Sequence, residues 1–170
     1  MAQHSHTSKF TLVPIQMRDE VQLRQIMADL FDIQESRPIY SLDVPHYGAK
    51  LIYCWEEENG HLKPIKELVP TVFLHIEQLP KIQEHNKLIM DFRQESKECC
   101  ILLAEGDRLI GVNCYHTADF GTAIYYMLEL LNKSQINPQQ SVVNLYGSVT
   151  DSELERLGGY VKSFKICPAL

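Results

Sequence analysis

Three consecutive segments of the chain decide its fold: residues 87–92 (KLIMDF), 98–105 (ECCILLAE) and 108–116 (RLIGVNCYH). Each is a short apolar run bounded by polar residues, which is typical of a β-strand. The second and third are joined by the tight turn Glu105-Gly106-Asp107-Arg108. In residues 98–105 both alternating sets of side chains are apolar, so this strand is predicted to be central in a sheet covered on both faces.

The remainder of the second half continues this pattern. The predicted elements are a helix at residues 118–132, a strand at 141–146, a helix that begins at a capping box at 150–153, and a strand at 163–167. Thr117 is the predicted N-cap of the first helix, with Asp119 in its first turn. The element order from residue 87 is therefore β-β-β-α-β-α-β.

The first half predicts a shorter version of the same plan. Its elements are a strand at residues 9–13, a helix at 19–31, a strand at 49–55, a short helix capped by Asn59, and a strand at 71–76. A loop with Pro38 and Pro45 is expected between the first helix and the second strand. The order β-α-β-α-β equals the later unit without its first two strands, which suggests an internal duplication.

Short motifs connect the chain to a known family. They are Lys9–Pro14 (KFTLVP), residues 108–120 (RLIGVNCYHTADF), the pair Tyr125-Tyr126, and the strand end Leu145-Tyr146-Gly147. In these stretches the chain resembles domain of unknown function 3822, an uncharacterised bacterial family typical of Bacteroidetes. The resemblance covers essentially the whole chain. It implies an α/β fold of the actin-like ATPase (ribonuclease H-like) type, shared with Hsp70 and sugar kinases, with duplicated β-β-β-α-β-α-β lobes, mixed sheets and helices on their faces.

The resemblance also implies an incomplete first lobe. Residues 1–86 correspond to a partial first actin-like lobe (β-α-β-α-β), and residues 87–170 to a second lobe (β-β-β-α-β-α-β). Family members carry two further strands before the first-lobe strand, and the strand order 3-2-1-4-5 of such sheets would place them between residues 9–13 and 49–55. We expect a gap there, whose unpaired backbone groups favour self-association or a protein partner. Truncation, a partner strand in the gap, and repacking of the N-terminal elements on the second lobe all remain open.

The resemblance points to ATP and Mg²⁺ as the cofactors of the superfamily, and to a few residues here. The first two strands of such a lobe are joined by a pattern such as Asp-x-Gly-Gly-Gly-Thr, whose backbone N–H groups approach phosphate closely. The equivalent residues 91–97 (DFRQESK) keep Asp91 but have no glycine, and a single Gly147 followed by Ser148 stands where the adenosine loop usually has two glycines. Asp91, Gly147 and Ser148 are thus the candidate cofactor-binding residues, and no catalytic residue or metal ligand is identified.

Two classes of function stay open. The lost glycines favour a non-enzymatic interaction scaffold with degenerate phosphate loops, a pseudo-ATPase. The alternative is a nucleotide-binding switch or an ATPase with an atypical phosphate site. The common loops of nucleotide-binding, hydrolase and zinc-protease motifs do not occur in the sequence.

The composition of the chain argues against two classes of partner, nucleic acids and membranes. The chain has 16 Lys and Arg against 22 Asp and Glu, a net charge of −6, and no basic face, which disfavours nucleic acid. Without a signal-peptide pattern or an apolar stretch near the ~20 residues of a membrane span, the sequence predicts a soluble cytoplasmic protein and no membrane partner.

The five cysteines, the acidic run at residues 56–58 and Trp55 are each interpreted as structural features, not functional ones. The five cysteines are odd in number and irregularly spaced, so no disulfide is predicted, and Cys99 and Cys100 are expected on opposite faces of their strand. The acidic run at residues 56–58 is interpreted as a solvated turn in preference to a cation site. Trp55 is interpreted as packing at the lobe edge in preference to anchoring a partner.

Overall fold

The chain forms two compact units, Met1–Glu77 and Gln78–Leu170. The structure, a computed structural model, describes residues 4–5, 7–34, 36–55 and 69–168. The predicted helix after Asn59 and the acidic run at residues 56–58 lie outside these residues. Within the described part, no helix combines the length and apolar character needed to span a membrane.

The second unit contains a five-stranded mixed sheet. Its strands and helices, in chain order, are β6 (Asn86–Arg93), β7 (Glu98–Glu105), β8 (Arg108–His116), α3 (Phe120–Lys133), β9 (Val142–Gly147), α4 (Asp151–Gly158) and β10 (Ser163–Ile166). The three predicted strands are confirmed, and so is the element order that follows them. Read from β8, the sheet has the order β8-β7-β6-β9-β10, which in order of appearance is 3-2-1-4-5, as the resemblance implied.

One face of this sheet packs under α3 and α4. Alternate residues of the central strands point to this face because strand side chains alternate with a period of two. The core includes Leu88, Met90, Phe92, Cys99, Ile101, Leu103, Val143 and Leu145 from the sheet, and Phe120, Ile124, Met127, Leu131 and Leu157 from the helices. The apolar stripe predicted for residues 118–132 is therefore the face of α3 that is buried.

The N-terminal cap of α3 differs from the prediction. Asp119, not Thr117, is the N-cap, and its carboxylate accepts a hydrogen bond from the backbone N–H of Thr122 at 2.7 Å. Thr117 instead accepts from the backbone N–H of Asp119, so the helix begins two residues later than expected. The hydrogen bond from the Thr122 side chain lowers the pKa of Asp119 below its usual range. The predicted capping box of α4, between Thr150 and Glu153, is confirmed.

In its described residues, the first unit has a different sheet arrangement from the second. Its elements are β1 (His4–Ser5), β2 (Phe10–Pro14), α1 (Glu20–Leu30), β3 (Tyr40–Val44), β4 (Ala49–Tyr53), β5 (Val69–Pro70) and α2 (Thr71–Gln78). β2, β4 and β3 form a three-stranded antiparallel sheet in that order, and β1 pairs with β5 in parallel. α1 packs on this sheet through Leu23 and Met27, which share a core cluster with Val13 and Ile52.

The expectation of a gap between residues 9–13 and 49–55 of the first-lobe sheet is wrong. β2 and β4 are direct hydrogen-bonded neighbours, with Leu12 opposite Leu51 and Pro14 opposite Ala49. Their backbone groups satisfy one another, so no space remains between these two strands for the strands that the family would supply.

Two element assignments in the first half are also wrong. Residues 71–76 form most of helix α2 and not a strand, because Thr71, Val72, His75 and Ile76 are buried at helical spacing and a short apolar run fits either element. The loop expected around Pro38 and Pro45 contains β3. Its sequence YSLDV alternates apolar and polar side chains, a strand signal that the flanking prolines obscured.

Candidate functional site

The candidate residues meet at one end of two neighbouring strands. β6 and β9 run parallel, with Asp91 opposite Tyr146 and Phe92 opposite Gly147. Ser148 follows β9 directly and is exposed. The structure thus brings Asp91 and Gly147 together at the place where the resemblance expects phosphate.

The Asp91 carboxylate is buried and ion-paired within its own strand. Its side chain is only 1% exposed, whereas that of Arg93 is 35% exposed. The guanidinium of Arg93 donates from Nε to both carboxylate oxygens, at 3.2 and 3.0 Å, and its Nη2 lies 2.9 Å from Oδ2. Residues two apart on a strand share a face, so Arg93 reaches Asp91 without bending the chain. Both oxygens of the Asp91 carboxylate are therefore held by an internal cation.

The turn after Arg93 is short and closed on itself. The backbone N–H of Lys97 donates to the carbonyl of Gln94 at 3.2 Å, which makes residues 94–97 a β-turn. Lys97 has φ 55°, a left-handed conformation that a non-glycine residue adopts at some cost. Its carbonyl accepts from the backbone N–H of Thr117 at 2.8 Å, which ties the turn to the end of β8.

Gly147 has a structural reason to be glycine. Its φ is 103°, and a Cβ atom there would lie 1.9 Å from the carbonyl oxygen of Phe92. No side chain fits at that distance, so glycine lets the end of β9 approach the backbone of β6. The residue that the resemblance offers for adenosine binding is used by strand packing.

On the face of the sheet opposite the α3 core, four side chains form a row across the strands. Tyr146, Asp91, Cys100 and Cys114 lie side by side on β9, β6, β7 and β8. Burial raises the pKa of Tyr146 to about 12, with a further contribution from Cys167, so its hydroxyl stays protonated at neutral pH.

Cys100 and Cys114 form a disulfide, which corrects the expectation that none would be present. The prediction was wrong because the β7–β8 register, and not the cysteine count, places the two residues directly opposite. Cys99 points to the other face, as predicted, and lies in the α3 core. Burial raises the pKa of the Cys99 thiol to about 12, and the Asp91 charge adds to this.

A polar cavity of about 320 Å³ lies beside the same end of β9. Its lining includes Lys81 from the segment after α2, Asn144 and Tyr146 from β9, and Lys165 from β10. Lys165 also donates to Glu84 at 2.5 Å, and this hydrogen bond lowers the pKa of Glu84. In the ranges that the structure describes, no three His, Cys, Asp or Glu side chains converge as a metal site requires.

Sequence reasoning missed Arg93 as the partner of Asp91 and missed the cavity. The Arg93 pairing had a signal, because an aspartate and an arginine two apart on a strand share a face. The cavity had none, since Lys81 and Lys165 are distant in sequence and line one cavity only in the folded chain. Trp55 contacts Tyr53 edge to face, with ring centroids 5.2 Å apart, and its packing at the lobe edge stays a prediction.

A solved structure supports the fold. The chain is similar to a protein from Bacteroides thetaiotaomicron described as having an actin-like ATPase fold and unknown function, with a TM-score of 0.75 and 15% sequence identity. The match covers 94% of this chain but 65% of that one, so the chain spans about two-thirds of that protein's length. At this identity the match shows the fold alone.

Comparison at the level of sequence families is more specific. No curated protein matches the chain. The profile of one family matches residues 4–162, nearly the whole chain. The protein therefore belongs to the family described as Protein of unknown function (DUF3822).

Proposed function

We propose that this protein is a non-enzymatic interaction scaffold that keeps an actin-like ATPase fold and has lost phosphate binding at the β6–β7 turn. The observation that carries the proposal is the Asp91–Arg93 pair. A carboxylate that orients Mg²⁺ must present oxygens to the ion, whereas both oxygens of Asp91 accept from Arg93. The residues present do not fit Mg²⁺-ATP in the manner of the superfamily.

The loops beside this pair support the same proposal. A phosphate cradle needs several backbone N–H groups that converge on one point without intervening side chains. The turn at residues 94–97 has four side chains and no glycine, and its own hydrogen bond closes it. The close approach of Gly147 to Phe92 accounts for that glycine without a ligand.

A titration of the full chain with Mg²⁺-ATP tests the proposal. Ligand at 100 times its Kd stabilises a protein by about 2.7 kcal/mol, which corresponds to a Tm rise of roughly 5 °C or more at this size. We expect a shift below about 1 °C at 5 mM nucleotide, and no heat of binding by calorimetry. A saturable shift that Asp91→Asn abolishes would overturn the scaffold proposal.

The cavity beside β9 favours a second candidate, a nucleotide-binding switch with an atypical phosphate site. Lys81 supplies a positive charge there, Lys165 is paired with Glu84 of the same lining, and the Tyr146 hydroxyl is a donor at neutral pH. This candidate predicts saturable ATP binding that survives Asp91→Asn and is lost in Lys81→Ala. Lys133→Ala is the matched control, because Lys133 is an exposed lysine on α3.

Partner binding by the scaffold is also a proposal, and the surface proposed for it differs from the one that the sequence suggested. Because β2 and β4 are paired, the gap between them is no longer the site, and we propose self-association at an edge of the three-stranded sheet, of which β3 is one edge strand. Multi-angle light scattering over a concentration series should show association that the exposed edge substitution Ser41→Lys weakens. A monodisperse monomer at high concentration would exclude it.

The proposed setting is the bacterial cytoplasm. The structural neighbour comes from a bacterium, and the family resemblance points the same way. Fractionation of the native host, followed by detection of the protein with an antibody, tests this placement. Recovery in the periplasmic or membrane fraction would contradict it.

A further inference from the structure

The cysteine pair across strands β7 and β8 has no part in the proposed scaffold function. Cys100 and Cys114 are opposite each other on β7 and β8, with their Cα atoms 4.1 Å apart. The neighbouring pairs, Cys99 with Tyr115 and Ile101 with Asn113, hold the register on both sides. The backbone ladder therefore keeps the two sulfur atoms adjacent whether or not they are bonded to each other.

The pair is also accessible from one side. β8 is an edge strand of the sheet, and Cys114 is partly exposed, whereas Cys100 is only 1% exposed. Because Cys114 is the more exposed residue of the pair, we expect an incoming thiol to attack there. Cys99 does not compete in the exchange, because it is buried on the other face and its raised pKa keeps it protonated.

We propose that Cys100 and Cys114 form a reversible thiol–disulfide site that exchanges with a low-molecular-weight thiol such as glutathione in the folded protein. In the reducing direction, a glutathione thiolate attacks the Cys114 sulfur, the Cys100–Cys114 bond breaks, and Cys100 leaves as a thiolate that takes a proton from water. A second glutathione thiolate attacks the mixed disulfide. The products are oxidised glutathione and a second protein thiol, so two electrons move in all.

The site is placed to affect the strand edge. The disulfide is a covalent tie between the edge strand β8 and the central part of the sheet. The register of this strand pair is already irregular between Leu103 and Ala104. After reduction only hydrogen bonds and packing hold β8, so its amides open to solvent more often. Oxidation state thereby controls how available this edge is to another strand.

The decisive experiment is a redox titration of the wild-type chain. The protein is equilibrated in native buffer at a series of reduced to oxidised glutathione ratios, alkylated with iodoacetamide, and analysed by peptide mass. We expect Cys100 and Cys114 to gain alkyl groups together and reversibly, with an unchanged far-ultraviolet circular dichroism spectrum. Amides of residues 108–116 should exchange with deuterium roughly tenfold faster in the reduced protein.

Controls separate this site from the other thiols. Cys167→Ser, which alters a partly exposed cysteine outside the pair, should titrate like the wild type. Cys114→Ser should remove the two-electron step and leave the protein in the fast-exchanging state at every ratio. Reduction only in denaturant, or failure of the pair to oxidise at any ratio while the fold is intact, would overturn the proposal.

Discussion

Replacing Arg93 by methionine tests whether the Asp91–Arg93 pair is structural. The substitution keeps a long apolar stem but removes the guanidinium, and it leaves a carboxylate with a 1% exposed side chain without its ion-pair partner. Removing one member of a buried pair costs about 3–5 kcal/mol. Arg93 is one-third exposed and Asp91 keeps another polar interaction, so we expect a loss somewhat below this range, about 2–3 kcal/mol.

A double-mutant cycle isolates this effect. Asp91→Asn removes the charge, so Arg93→Met in that background should cost less than about 1 kcal/mol, which gives a coupling near 2 kcal/mol. The free energy of unfolding is measured with urea, followed by circular dichroism. Arg108→Met is the matched control, since Arg108 pairs with Glu105 at 2.6 Å on the surface and should cost under about 1 kcal/mol. If Arg93→Met costs no more than Arg108→Met, the argument from burial is refuted.

Three further predictions concern individual residues. Gly147→Ala should lower stability by at least about 3 kcal/mol in a thermal melt, because the new Cβ atom would collide with a backbone carbonyl. The control Gly48→Ala, at φ 59° and with open space around it, should cost only about 1–2 kcal/mol. Equal losses in the two variants would contradict the collision. Cys99 should resist iodoacetamide for hours at pH 8 in the native protein, because only roughly one part in 10⁴ of a thiol with a pKa of about 12 is ionised at that pH. Rapid labelling without unfolding would disprove the burial of Cys99. Lys165→Met should destabilise the protein by less than about 1 kcal/mol at pH 7 and by less still at pH 3. The pKa of Glu84 is lowered by Lys165, so the pair stabilises the fold above the ordinary pKa of 4.5 and loses this effect as the pH falls through the lowered pKa. A difference in urea midpoint that stays the same at both pH values would argue against the pair.

The second half of the chain could be predicted from its sequence because its signals are local and consistent. The strand at residues 98–105 is apolar on both faces, has charged ends and precedes a glycine turn, and its bounds match the structure. The stripe of α3 and the capping box of α4 are equally local. Each element follows from periodicity and caps, so the strand order could be taken from the family without knowledge of contacts.

The first half and the candidate site could not be predicted as well. The run TVFLHI fits a strand or a helix, and only tertiary burial selects the helix. The pairing of β2 with β4 is a contact between segments about 40 residues apart, which no local pattern encodes. The Cys100–Cys114 disulfide depends on a register that an irregularity between Leu103 and Ala104 helps to set.

The sequence by itself determined the type and order of elements from residue 87 onward, the family, and the positions of Asp91 and Gly147 near the ends of their strands. Those features depend on alternation, turn residues and caps, which act over a few residues. Only the tertiary structure decided what the two residues do: the burial of the Asp91 carboxylate in its pair with Arg93, and the close approach of Gly147 to Phe92. Their roles depend on angstrom-scale distances between backbones and side chains, and such distances are set by packing and not by composition.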